Sequence, residues 1–314
     1  MYEQIASNKR KTVVYVFLFF VVWIGIGAVL GTIFGSSATG PNGEPMSRTS
    51  PIVAGMLITG LLAVLGILFS LTSGRSLVLA VSGAKPADPI QYKQLHDVVE
   101  ALAIGDGLPK PDVYVIEDPS PNAFATGTSP KNAAITATTG LLQIMNREEL
   151  EGVIGHEMSH IKNYDVRLIL IVSTLIGMAG LIASLVWRTA FYARPRGRDG
   201  GQAMLVIFAI GALFSLVAFI FGPLIKLALS RRRESLADVS SVELTRNPTG
   251  LIHALQKLEQ NDQPFKKFNH ATAAMCIDDP LQHHESWFHH LFDTHPPLED
   301  RIATLEAIAQ GRSV

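Results

Sequence analysis

His156-Glu157-Met158-Ser159-His160 sets two imidazoles four residues apart, with an acid beside the first. On an α-helix, residues four apart lie on one face, about one turn above each other. Both rings can therefore reach one metal ion. Glu157 is rotated by about 100° from His156, which suits a base acting on an activated water better than a third ligand. A catalytic zinc normally keeps three protein ligands and one open position, so a third ligand has to come from elsewhere. The stretch Ser230-Arg231-Arg232-Arg233-Glu234-Ser235-Leu236-Ala237-Asp238 offers Glu234 and Asp238, again four apart on one helix face. Glu234 can bind the ion while Asp238 accepts a hydrogen bond from a ligand histidine, fixing its ring and raising its basicity. Taken alone, this stretch reads more readily as a solvated helix with i,i+4 ion pairs.

These residues need helices to hold them. Asn146 with Glu149 three residues on forms a capping-box signature, and Leu150, Val153 and Ile154 follow at helical spacing. The pattern predicts a helix from Asn146 through His156 to about Asp165. A second helix is expected over Arg231–Thr245, stopped by Asn247-Pro248. Asn247 can cap a further helix with Pro248 at its first position, running to about Leu258. An amphipathic helix is expected over Pro297–Ile308, with Leu298, Ile302, Leu305 and Ile308 on one side. Ahead of the histidines, Ile90–Ile104 reads as an amphipathic helix through Leu95, Val98, Val99, Leu102 and Ile104, broken by Gly105–Pro111. Val113–Ile116, Asn122–Gly127 and Ala133–Thr139 read as short strands, with Ser129-Pro130-Lys131-Asn132 as a hairpin turn. The polar part is thus a mostly helical α+β unit with a small sheet.

The rest of the chain is apolar. Of its 314 residues 48% are hydrophobic and only 17% charged, against about 25% charged in an ordinary soluble domain. That composition excludes a disordered chain or a coiled coil. Lys and Arg number 26 and Asp and Glu 27, so no basic excess draws the protein to nucleic acid. Cys276 is the single cysteine, which rules out an internal disulfide or a multi-thiolate metal site and has no role in the chemistry. Charge-free runs lie at Thr12–Gly43, Thr49–Gly74, Leu168–Trp187 and Gly200–Ile225, each reaching the roughly 20 residues needed to cross a bilayer. The first is too long for a signal-peptide core of about 7–15 residues and is read as an uncleaved span. Lys9, Arg10 and Lys11 before it place the N-terminus in the cytoplasm. The later pair reads as two further crossings by length. The alternative is a hydrophobic hairpin, because Arg188, Arg194, Arg196 and Arg198 crowd the connection that crossing would put outside. Four segments result: residues 1–74 with two transmembrane helices, 75–167 with the histidine helix, 168–229 as the hydrophobic pair, and 230–314.

His156–His160, followed after two apolar runs by Arg233-Glu234-x-x-Ala237-Asp238, resembles the HtpX family of bacterial membrane zinc metalloproteases, relatives of the CAAX prenyl endopeptidases. The likeness spans nearly the whole chain. It includes Ile5-Ala6-Ser7-Asn8-Lys9-Arg10-Lys11, Asn122-Ala123-Phe124-Ala125-Thr126-Gly127, Thr139-Gly140-Leu141-Leu142 and Thr294-His295-Pro296-Pro297-Leu298. The resemblance implies a mainly α membrane protein, with about four transmembrane helices and a gluzincin-like α+β protease domain carrying a small sheet. It implies one zinc ion per subunit on His156, His160 and Glu234, with Glu157 as general base. Asn122, Ala123, Phe124, Ala125 and Thr126 match the family's edge strand beside the cleft, where an extended peptide can add to the sheet; an ordinary core strand is the alternative. His295 and Arg301 match a C-terminal His-Pro-Pro…Arg pattern and are expected to approach the cleft and stabilise the oxyanion, unless His295 is simply a turn residue. His270, His283, His284, His289 and His290 match nothing and read as a solvated loop.

The expected activity is hydrolysis of peptide bonds in misfolded or damaged membrane proteins at the cytoplasmic face, a quality-control role in stress. The bacterial inner membrane is the expected location, with the N-terminus and protease domain cytoplasmic. Expected partners are polypeptide substrates and the lipid bilayer, with a functional link to other membrane proteases. Two other classes compete: an ion-relaying transporter, and a silent scaffold keeping its zinc for structure. The first would place ionisable residues within the spans, whereas here they flank them; the second is opposed by an intact Glu157.

Overall fold

The computed structural model describes residues 2–35, 49–192, 204, 207–208, 210–215, 231–261 and 297–312. The chain divides into two units. One takes the described residues of Met1–Lys11, Ser73–Ser173 and Pro223–Val314, the other those of Thr12–Thr72 and Thr174–Gly222.

The first unit is built on a four-stranded mixed sheet of order β1-β2-β4-β3, with β1 Lys85–Pro86, β2 Asp112–Ile116, β3 Ala123–Gly127 and β4 Ala133–Thr138. β2 and β4 run parallel with Val113 opposite Ile135, while β3 is antiparallel to β4 with Ala125 opposite Ile135. β3 and β4 form the expected antiparallel hairpin, joined through a single 3-10 turn at Pro130–Asn132. Helix α3, Lys93–Asp106, starts and stops later than expected. The Asp88 carboxylate accepts from the backbone N–H of Ile90 and Gln91 at 2.9 and 2.8 Å, which keeps Ile90 in a turn outside the helix. Gly107, at φ +65°, supplies the left-handed residue that ends it. Leu95, Val98, Val99 and Leu102 are buried, but Ile104 is 74% exposed. Ile104 is two residues beyond Leu102, about 200° around the axis, and so falls off the stripe.

After the short α4, Thr139–Ile144, comes α5, Arg147–Lys162. The expected capping box is formed: Asn146 Oδ1 accepts from Glu149 N–H at 2.9 Å, and Glu149 accepts from Asn146 N–H at 2.8 Å. Removing such a cap typically costs about 1 kcal/mol. Lys257 adds an ion pair to Glu149 at 2.6 Å. α5 ends at Lys162, not at Asp165; Asn163 and Tyr164 form a turn, with Tyr164 at φ +61°. Asp165 instead opens α6, Asp165–Tyr192. The remaining helices are α7, Arg231–Thr245, α8, Pro248–Glu259, and α9, Leu298–Ala309. Asn247 caps α8 as expected, accepting from Gly250 N–H at 3.2 Å. Leu150, Val153, Ile154, Met158 and Ile161 of α5 are the centre of the core, joined by Ile135, Leu251, Leu255 and Leu305.

The second unit contains most of α1, Tyr2–Gly35, and of α2, Thr49–Val81. Among the described residues, Lys9–Thr32 and Thr49–Val81 are long and apolar enough to cross a membrane. Their flanks leave Phe17, Leu57, Ile58 and Leu61 more than 60% exposed, an apolar surface suited to lipid. The two helices meet over glycines. A Cβ at Gly27 would stand 2.4 Å from Gly55 O, and one at Gly31 2.4 Å from Pro51 O. The spacing Gly27-x-x-x-Gly31 permits that approach, as in membrane helix pairs. Within the same unit Trp23 packs edge-on to Phe214, with centroids 5.4 Å apart. Of the later apolar runs, Leu168–Trp187 lies within α6. Its first part, Leu168 to Val172, is buried and belongs to the first unit. Gly200–Ile225 falls largely outside the described residues.

Candidate metal centre

Every residue of α5 from Gly152 to Ile161 is buried. His156, Glu157 and His160 are 0%, 2% and 5% exposed, and polar groups held so deeply need partners. α7 supplies them because two glycines on α5 let its neighbours come close. A Cβ at Gly155 would stand 2.7 Å from Ser241 Oγ on α7, and one at Gly152 2.8 Å from the backbone of Leu251 on α8. Ser241 Oγ donates to Gly152 O at 2.7 Å, pinning the crossing. This approach sets Glu234, 0% exposed, against both imidazoles.

The ring orientations are fixed from behind. His156 Nδ1 lies 2.8 Å from Asp238 Oδ1, and His160 Nδ1 lies 3.2 Å from Asp165 Oδ2. A carboxylate only accepts, so each Nδ1–H donates to its aspartate and each Nε2 is turned inward. The two Nε2 atoms are 3.1 Å apart. Glu234 stands 3.5 Å from the Nε2 of His156 and 3.6 Å from that of His160. Two ring nitrogens facing each other at that distance need a proton or a metal cation between them. Ligands at about 2.0–2.1 Å on a tetrahedral ion lie about 3.3 Å from each other, close to all three separations. The three side chains offer donors within 4.8 Å of one another and fit a small divalent ion.

The electrostatics favour positive charge. Burial alone lowers the pKa of His160, but the Glu234 charge, then the hydrogen bond and charge of Asp165, and then Glu157 outweigh it and bring the ring up to about 9. For His156, burial and then the Arg301 charge push down, while Asp238 and Glu234 push back harder, with a net rise. Asp238 would be raised by burial, yet Arg301 and His156 hold it at about 2.

Arg301 is buried behind His156. Its Nε and Nη2 donate to the two oxygens of Asp238 at 3.0 and 2.7 Å, on the Nδ1 side of His156 and away from the facing Nε2 atoms. Planar guanidinium and carboxylate groups pair in this two-pronged way, so the arginine orients Asp238. His295 and the cluster from His270 to His290 lie outside the described residues, as does Cys276. Asn122 precedes β3, exchanging hydrogen bonds with Thr138 at 2.9 Å through N–H and carbonyl. Ala123, Phe124, Ala125 and Thr126 are all buried in β3, which stands last in the strand order and pairs with β4 alone among the described strands. The sequence places Asp165 at the end of the histidine helix. The structure pairs it with His160 and, at 3.3 Å, with Arg233.

Residues 89–309 match the profile of peptidase family M48. The protease HtpX homolog of Streptococcus mutans is 45% identical over 314 residues, covering 98% of this chain and all of that protein. The protease HtpX homolog of Levilactobacillus brevis is 42% identical, covering 98% of this chain and 99% of its own length. Among solved structures, S. mikatae Ste24p aligns with a TM-score of 0.47 at 16% identity, covering 98% of this chain and 67% of that one.

Proposed function

Since the chain belongs to peptidase family M48, within its HtpX branch, we propose that it is a membrane-bound zinc endopeptidase. Its substrates are misfolded or damaged membrane proteins, cut in segments exposed at the cytoplasmic face. The buried triad of His156, His160 and Glu234, with each imidazole oriented by an aspartate, is the observation that carries this reading.

His156, His160 and Glu234 would hold the ion. Zinc bound there supplies a Lewis acid that polarises a peptide carbonyl and acidifies water. Glu157, one residue on from a ligand and on the adjoining face, takes the proton of the attacking water and delivers it to the departing amine. Asp238 keeps His156 in the tautomer whose Nε2 is free, and Arg301 keeps Asp238 ionised and aimed. β3 offers its outer edge to an extended substrate, whose main chain adds to the sheet regardless of sequence. Such recognition suits an enzyme that must accept many unfolded segments.

Four crossings, by α1, α2, the later part of α6 and the apolar run over 200–225, complete the topology, with segments 1–74, 75–167, 168–229 and 230–314. An even number of crossings between His160 and Glu234 keeps both ligands on one side. Lys9, Arg10 and Lys11 before the first span support a cytoplasmic N-terminus and protease domain.

Detergent-purified protein is expected to cleave an unfolded polypeptide such as β-casein. A chelator should abolish the cleavage and one equivalent of zinc per subunit should restore it. Cleavage that survives complete metal removal would overturn the proposal.

A further inference from the structure

We infer that Asp165 and Arg233 are positioning residues for His160, forming a second Arg–Asp–His chain that mirrors Arg301–Asp238–His156 on the other ligand. This rests on the metalloprotease reading above. Behind His160, Nδ1 meets Asp165 Oδ2 at 3.2 Å, and the other oxygen of Asp165 meets Arg233 Nη1 at 3.3 Å. The three side chains are 6%, 4% and 7% exposed. Each histidine of the pair is thus backed by a buried aspartate that is itself held by a buried arginine. α7 serves both chains, giving Arg233 to one, Asp238 to the other, and Glu234 between them to the triad.

The backbone is shaped for this contact. Residues five apart on an unbroken helix point about 140° away from each other, so Asp165 could not back His160 if α5 continued. The chain instead leaves the helix through Asn163 and Tyr164, and Tyr164 takes a left-handed φ of +61°. That region is rarely used by an aromatic residue. The turn is held from outside by Lys9, whose ammonium lies 4.7 Å from the centroid of the Tyr164 ring. An unfavourable conformation that returns an acid to a ligand histidine is readily explained by what the acid does there. Asp165 fixes the His160 tautomer so that Nε2 faces the ion, and its charge strengthens that nitrogen as a donor. Arg233 holds Asp165 pointed at the ring rather than at the metal.

The test uses the full-length protein in detergent, with zinc affinity measured by competition with a chromophoric chelator and the visible spectrum of the cobalt form as a second readout. Asp165→Asn is expected to lose about 10–100-fold in zinc affinity and to shift the cobalt bands. Arg233→Gln should lose affinity as well, Arg233→Lys should recover most of it, and Asp165→Asn with Arg233→Gln should be no worse than Asp165→Asn alone, because the two act in series. Asp165→Asn binding zinc within twofold of wild type, with an unshifted cobalt spectrum, would overturn the inference. So would additive losses in the double variant. If Asp165→Asn does not fold, the contrast between Arg233→Gln and Arg233→Lys decides, and equal losses in the two count against it. Failure of the wild type to bind zinc would sink the parent reading, whereas zinc bound normally by both wild type and Asp165→Asn sinks this inference alone.

Discussion

Glu157→Gln is expected to bind zinc as wild type does and to cleave polypeptide about 10²–10⁴-fold more slowly. The amide has the shape of the acid, so the buried position it occupies, 2% exposed, is refilled without a cavity. Glu157 does not belong to the donor triad, so metal affinity has no reason to fall. An amide cannot take a proton from water at neutral pH, and that is the step removed. The loss should therefore lie in kcat, with KM little changed. Metal content by atomic spectroscopy and initial rates on casein check both halves together. A wild-type rate would remove Glu157 from the chemistry. Loss of zinc would make it a structural or ligand residue instead.

Glu234→Ala is expected to remove both metal and activity. Glu234 is the one anionic donor of the triad and is fully buried. Without it only the two imidazoles remain as donors, while Asp238 and Asp165 are turned to their far nitrogens. The affinity loss should exceed the 10–100-fold (approximately) typical of removing an outer partner. Glu243→Ala, an exposed position on the same helix, should leave zinc and activity intact and shows that the effect belongs to the site. Stoichiometric zinc in Glu234→Ala after dialysis would mean that the ion is held elsewhere.

What could be read from the sequence was local. The Asn146–Glu149 box, the stripe of α5 and the Asn247 cap of α8 depend on neighbours within a turn or two, and each formed as predicted. The shared face of His156 and His160 follows from helical periodicity alone. What stayed hidden depends on how the chain turns between elements and on contacts across long separations. Asp165 looked like the tail of the histidine helix, because nothing in Asn163-Tyr164 announces a left-handed residue. Arg301 pairs with an acid 63 residues away, and no spacing rule reaches that far. Gly152 and Gly155 lower the helix propensity of α5, and no neighbour in sequence accounts for them. In the structure they are the places where α7 and α8 come close enough to deliver Glu234 and Asp238 to the histidines. The Gly27-x-x-x-Gly31 spacing in α1 was legible in principle and becomes meaningful only beside Gly55.

The central claim is that one ion is shared by α5 and α7. Anomalous diffraction at the zinc edge, from crystals of the purified protein, addresses it without reference to activity. The account predicts a single strong peak about 2.0–2.2 Å from the Nε2 atoms of His156 and His160 and from a carboxylate oxygen of Glu234. A peak bound by the histidines with Glu234 turned away, or one located among other residues, would contradict it.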